Sequence, residues 1–183
     1  MKILVHTCCA PCLIYPYEVL KNKSFEVSAF FYNPNIHPYT EYRKRKDSLK
    51  DYVQSQNIPT YFYDDYDIES FFHAVNNKEK GPQRCVECWR LRLKKTAEKS
   101  KELGFDSFTT TLLVSPYQDQ KLIKEIGYRI AKDKSVDFYF EDFTSGFKQA
   151  HDKARELGLY LQKYCGCLYS ERARYIKKYR KRK

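Results

Sequence analysis

Short apolar runs rich in β-branched and aromatic residues recur along the chain at 3–6, 26–32, 60–63, 108–114 and 138–140, with helix-period stretches between them. That alternation predicts an α/β fold, a mostly parallel sheet with helices on both faces. The clearest helix spans 118–132, where Leu122, Ile123, Ile126 and Ile130 form one apolar stripe and Ser115-Pro116 offers an N-cap followed by a first-turn proline. A second helix is expected over 87–103 with Gly104 ending it, and a third over 147–157 closing at Gly158. Neither a repeat nor a composition break marks a second domain, so one α/β domain is expected over 1–171, followed by a basic C-terminal tail over 172–183.

In open parallel sheets the ligand site lies beyond the carboxyl ends of the strands. Cys8, Cys9 and Cys12 directly follow the strand ending at His6, in the loop and first turn of the next helix. Free N–H groups and the positive end of the helix dipole favour a thiolate there, and a thiolate is the form that ligates metal. The loop 32–38, with Asn33, Asn35 and His37, and the 115–118 segment are expected at the same edge. The asparagines and His37 are candidates for substrate contact, although turn formation alone accounts for Asn-Pro. His6 reads as a hydrogen-bonded core residue, and His37, His73 and His151 fit no metal spacing.

The chain is long enough to bury a core without staples, so its seven cysteines call for another role. All seven fall into three groups: Cys8, Cys9 and Cys12; Cys85 and Cys88; Cys165 and Cys167. The opening MKILVHTCCAPC is unlike a secretory signal, and no apolar stretch approaches the roughly 20 residues needed to cross a bilayer. A cytoplasmic location is therefore expected, where clustered cysteines read as metal ligands or redox groups. Two CxxC-type sources can complete four-sulfur ligation of zinc or of a [4Fe–4S] cluster, and spacing does not separate the two. A structural zinc leaves three thiols unexplained. The Cys165-Gly166-Cys167 pair suits either a labile redox disulfide or two further metal ligands. Cys12 suits either a core cysteine at a helix start or a role at the site, such as binding a second metal ion.

With 34 Lys+Arg against 23 Asp+Glu, the formal net charge of +11 favours a polyanionic partner, either nucleic acid or an anionic membrane surface. Eight of the twelve residues 172–183 are Lys or Arg, interleaved with Tyr175 and Tyr179, and Arg43-Lys44-Arg45-Lys46 forms a second block. Two such blocks favour nucleic acid, with tyrosines available to stack on bases.

Together HTCCAPC (6–12), FYNPNIHP (31–38), RCVECWRLRL (84–93), TTTLLVSPYQ (109–118) and YCGCLYSE (164–171) resemble the epoxyqueuosine reductase QueH family. The resemblance implies a cobalamin-independent oxidoreductase of tRNA processing that reduces epoxyqueuosine to queuosine in the anticodon loop, with an electron donor as a further partner and no membrane. It also implies a Rossmann-like fold similar to nucleotide α-hydrolase-like (HUP) proteins, with the SGGxDS phosphate loop replaced by the cysteine loop and no use of ATP. Carried over by position, the family pattern assigns a [4Fe–4S] cluster to Cys8, Cys9, Cys85 and Cys88 and a redox-active disulfide to Cys165 and Cys167. Spacing alone prefers Cys9 and Cys12 from the first group, and an additional adjacent iron held by Cys12, Cys165 or Cys167 stays open. Two other readings compete: a non-enzymatic zinc module that binds RNA, and a thiol–disulfide oxidoreductase.

Overall fold

The structure is a computed structural model describing residues 1–63 and 65–180, with side chains described through residue 176. Five strands form one sheet: β1 (Lys2–His6), β2 (Glu26–Phe31), β3 (Thr60–Phe62), β4 (Ser107–Thr110) and β5 (Asp137–Phe138). Their order is β3-β2-β1-β4-β5 and every pairing is parallel. Because β1 pairs β2 on one side and β4 on the other, the chain reverses its direction of winding there. The crevice at the carboxyl ends of β1 and β4 is the topological switch point of a Rossmann-like fold.

Helices α1 (Ala10–Asn22) and α2 (Tyr39–Ser55) cover one face, and α4 (Gln83–Glu102) and α5 (Gln120–Lys134) the other. The short α3 (Ile68–Val75) packs on α4, and α6 (Phe147–Glu156) on α1. The last helix, α7 (Leu168–Arg180), begins before the position where the sequence places the start of a basic tail. Residues 181–183 lie outside the described residues, as do the side chains of residues 177–180, Tyr179 included. Among the described residues, no helix is long and apolar enough to cross a membrane.

The apolar stripe of α5 is buried at Ile123, Ile126 and Ile130. Its cap is Asp119, whose Oδ1 accepts from the Leu122 amide at 3.0 Å, and not Ser115 as the sequence suggests. The cause lies upstream. β4 stops at Thr110, four residues short of the expected strand, because the Thr110 hydroxyl accepts from the Leu112 amide and tightens 111–114 into a 3-10 turn. Ser115 ends that turn, and Pro116 falls in a further turn closed by the Gln118 amide on the Ser115 carbonyl. Gly104 and Gly158 end α4 and α6 at φ +69° and +65°, as the sequence predicts.

Only half of the 43–46 block forms the basic surface expected of it, since Arg43 and Lys44 are exposed and the other two are not. Arg45 is 1% exposed and Lys46 is also buried, while Arg43 pairs with Asp47 across one helical turn. Position 45 faces inward because α2 turns Glu41, Tyr42, Arg45 and Leu49 toward the core. Arg45 Nε donates to Glu41 Oε1 at 2.8 Å, and Tyr160 donates to Glu41 Oε2 at 2.5 Å. The remaining guanidinium nitrogens donate to the carbonyls of Tyr164 and Cys165 at 2.9 and 3.0 Å. α2 is thereby tied to the cysteine-bearing segment ahead of α7.

Two variants test this packing. A Cβ on Gly127 of α5 meets the Phe138 ring at 2.2 Å, and that ring is itself packed against Phe108. Gly127→Ala is expected to lower stability by about 1–3 kcal/mol through overpacking, read as a lower urea midpoint at unchanged slope. Arg45→Met strands the Glu41 carboxylate and is expected to cost about 3–5 kcal/mol. Combining it with Glu41→Leu restores most of that stability, while hydrogen exchange across 160–167 stays fast because the carbonyl anchors are gone.

Candidate metal centre

The first sulfur group sits at the switch point. β1 ends at His6, whose ring is held between Thr110 Oγ1 (2.9 Å) and the Tyr32 carbonyl (3.2 Å). Burial pulls its pKa down to about 3, so it is a neutral core residue, as the sequence reading expects. The chain then passes Thr7 and reaches Cys8, whose amide donates to Thr111 Oγ1 at 3.3 Å. Cys9 is the N-cap of α1 in extended conformation, with no side-chain cap bond and a proline in the first turn. The sulfurs of Cys8, Cys9 and Cys12 all lie within 4.8 Å of one another, and Cys8 and Cys9 are 3.7 Å apart.

One thiolate is favoured in this trio. Hydrogen bonds from Cys12 and Cys9, with a third from Thr111, hold the Cys8 thiol well below its ordinary pKa. Burial pushes Cys9 up, and the bond that Cys12 gives to Cys8 pushes Cys12 up. Of the three, Cys8 gives up its proton most readily, beside the first turn of α1.

The second group lies on the first turns of α4, which starts at Gln83, four residues before the expected start. Cys85 and Cys88 are three residues apart and so share one face of the helix. Cys85 is half-buried and Cys88 buried, and burial pushes the Cys88 thiol up to about 12. The third group is a tight bend ahead of α7. Gly166 has φ +147°, and a Cβ on it meets Asn35 Nδ2 at 2.9 Å, so only glycine fits. The bend is pinned from several sides. The His37 amide donates to the Gly166 carbonyl at 2.9 Å, Tyr164 donates its hydroxyl to the His37 carbonyl, and Ser170 donates to the Cys167 carbonyl at 2.7 Å. His37 thus holds the cysteine bend; its Nε2 meets the Pro34 carbonyl at 3.0 Å.

Two cavities meet at Cys165, which is exposed. The smaller, about 380 Å³, is lined by Cys85, Cys88, Cys165 and Cys167, together with Arg92, Trp89 and Asn35. The larger, about 500 Å³, is lined by Cys12, Cys165, Gln162, Tyr117 and residues of α6 and α7. Gln118 stands at both, its Oε1 accepting from Trp89 at 3.0 Å and its Nε2 facing Cys165 Sγ at 3.9 Å. All three cysteine groups therefore reach one end of the sheet, but only Cys8, Cys9 and Cys12 form a compact trio among the described residues.

Arg92 is the functional residue that motif reading misses. It is 1% exposed, Nε donates to the Cys88 carbonyl at 3.1 Å, and Nη2 is buried with no partner. Among the described residues it forms no salt bridge; the groups that favour its charge are Cys88, Cys165, Cys8 and Cys85. An arginine on the buried stripe of α4, with Trp89, Leu93, Thr96 and Ala97, was the available signal. A buried cation needs an anion, and a set of thiolates around a metal core supplies one. The donor set and the orphaned nitrogen therefore both fit an anionic metal–thiolate centre.

The other sequence candidates divide. Asn33 donates to the Thr7 carbonyl at 2.8 Å and braces the cysteine loop, whereas Asn35 lines the smaller cavity with its Oδ1 unpartnered. His151 lines the larger cavity, and His73 is exposed on α3, absent from both linings.

A family model described as "Epoxyqueuosine reductase QueH" matches residues 3–173. The chain is 35% identical over 175 residues to a protein of that name from Thermotoga maritima, covering 92% of this chain and 89% of the relative. It is 31% identical over 176 residues to one from Dehalococcoides mccartyi, covering 96% of each. In fold it is similar to a solved structure titled as a predicted subunit of tRNA methyltransferase from Methanocaldococcus jannaschii, with TM-score 0.54 and 13% identity over 99% of this chain and 88% of that one. A family match over nearly the whole length, with relatives above 30% identity along most of theirs, places this chain in the epoxyqueuosine reductase QueH family.

Proposed function

We propose that this chain reduces epoxyqueuosine to queuosine in the anticodon loop of tRNA, in the cytoplasm, using a [4Fe–4S] cluster held by Cys8, Cys9, Cys85 and Cys88. The observation that carries this reading is Cys165, a solvent-exposed thiol on the wall shared by two cavities, one lined by thiols and a buried arginine and the other open and aromatic. When bound, the cluster supplies electrons one at a time. Opening an epoxide to an alkene takes two electrons and two protons and releases water. Cys165 and Cys167 balance that demand as a dithiol: closing them to a disulfide gives up two electrons and two protons while the carbon–carbon double bond forms and the oxygen leaves. Reopening the disulfide takes two electrons and two protons from an external donor.

The chain's own residues prepare this pair. Gly166 permits the tight bend, Arg45 and His37 hold its carbonyls, and Gln118 places an amide near Cys165 Sγ. Cys12, in contact with Gln162 Nε2 at 3.4 Å, faces the larger cavity as a third working thiol or a ligand to an additional iron. The compact Cys8, Cys9 and Cys12 trio favours a second reading in which Cys12 replaces Cys8 or Cys9 as a cluster ligand. The basic segment 172–183 would contact phosphates of the anticodon arm, and such contacts weaken as salt rises.

Anaerobic reconstitution with iron and sulfide, followed by epoxyqueuosine-containing tRNA and a strong reductant, is expected to yield brown protein and queuosine by mass spectrometry of the nucleosides. Cys165→Ser and Cys167→Ser keep their iron and lose turnover, whereas Cys85→Ser loses iron. Comparing iron content of Cys8→Ser and Cys12→Ser separates the two ligand sets. Colourless protein holding zinc, with no nucleoside change, would overturn the assignment. Deleting residues 174–183 is expected to weaken tRNA binding at unchanged iron content; loss of iron on truncation contradicts that division of labour.

A further inference from the structure

The two cavities that meet at Cys165 differ in chemistry, and the difference assigns their contents. The smaller is lined by the Cys85 and Cys88 pair of α4, the Cys165 and Cys167 pair and a buried guanidinium, a sulfur-rich lining that suits an anionic inorganic core at its edge. The larger carries a different lining. Tyr117 and Phe147 stand edge to face with centroids 5.8 Å apart, and Phe147 meets the His151 ring at 4.3 Å, so three rings form one wall. Tyr117 is 83% exposed, which leaves the greater part of a large ring in solvent on the same cavity as Cys165. Gln162 also lines the cavity, and its buried Oε1 has no partner. Arg174, exposed on α7, brings a cation to the same cavity.

Stacking rings, an unpaired buried acceptor and a cation are what an extruded nucleotide needs: a surface for its base, a partner for its N–H edge and a counter-charge for its phosphate. A cavity of about 500 Å³ falls within the range of small-molecule sites. We propose that this larger cavity seats the nucleoside drawn out of the anticodon loop, with its base stacked on Tyr117 against the Phe147 wall, its N–H edge on Gln162 and a neighbouring phosphate on Arg174. The inference rests on the tRNA-reductase reading and adds the residues that recognise the substrate. It also explains why Cys165 is exposed: the nucleoside and the sulfur-lined cavity must share one wall for electrons to cross.

The test uses the full-length, anaerobically reconstituted protein and a labelled anticodon stem-loop carrying epoxyqueuosine, with affinity read by fluorescence anisotropy over a salt series. Tyr117→Ala is expected to weaken binding roughly 5- to 150-fold, the range for losing one base–aromatic stack, with the salt slope and iron content unchanged. Tyr117→Phe keeps the ring and restores affinity. Arg174→Ala is expected to reduce the salt slope by about one and to act equally on a stem-loop lacking the modification. Tyr117 is largely exposed, so its thermal midpoint should match the parent and exclude a folding artefact. Unchanged affinity in both Tyr117→Ala and Phe147→Ala overturns the proposal, as does a loss that Tyr117→Phe fails to restore. The reductase reading fails separately: the parent protein would then bind or ignore the stem-loop without converting its epoxide.

Discussion

Buried positive charge at the carboxyl end of the sheet is the constraint on which the arrangement of this protein depends. Arg45 and Arg92 are each about as inaccessible as a core leucine, and neither can give up its proton. Each must be met by acceptors, and most of these come from the cysteine-bearing segments. Arg45 takes the carbonyls of Tyr164 and Cys165 together with the Glu41 carboxylate. Arg92 takes the Cys88 carbonyl and leaves one nitrogen for an anion that the protein side chains do not supply. Arg45 thus ties α2 to the segment ahead of α7, and Arg92, bonded within its own helix, turns its charge toward the thiols of Cys88, Cys165, Cys8 and Cys85.

That place is set by topology. A parallel sheet that reverses winding between β1 and β4 opens a crevice at their carboxyl ends, and the loop leaving β1 must pass through it. Cys8 does so while hydrogen-bonded to Thr111 in the turn after β4, so both sides of the switch point are locked to the first sulfur group. The α4 pair enters from the opposite face and the Cys-Gly-Cys bend closes the top. Where other doubly wound folds aim backbone amides at phosphate, this one aims sulfur.

The same geometry separates tasks that share a few ångströms. Cys165 stands between a thiol-lined hollow and an aromatic one, with Gln118 touching both. Arg174 on α7 brings a cation to the aromatic hollow, whereas Arg45 and Lys46 of the other cationic run are turned inward.

The order of elements, the parallel α/β class and the position of the first cysteine group at a strand end were legible in the chain, because apolar periodicity and the spacing of caps and glycines are local properties. His6 as a core residue, Gly104 and Gly158 as helix stops and the grouping of the seven cysteines belong to the same class. Three things were not legible. The end of β4 depends on a threonine hydroxyl competing for a backbone amide, the fate of the 43–46 block depends on which face of α2 meets the core, and Arg92 acquires meaning only when thiols from distant segments surround it. Sequence determined which chemistry was available; only tertiary packing decided which groups share a cavity, because burial and charge pairing are set by neighbours remote along the chain.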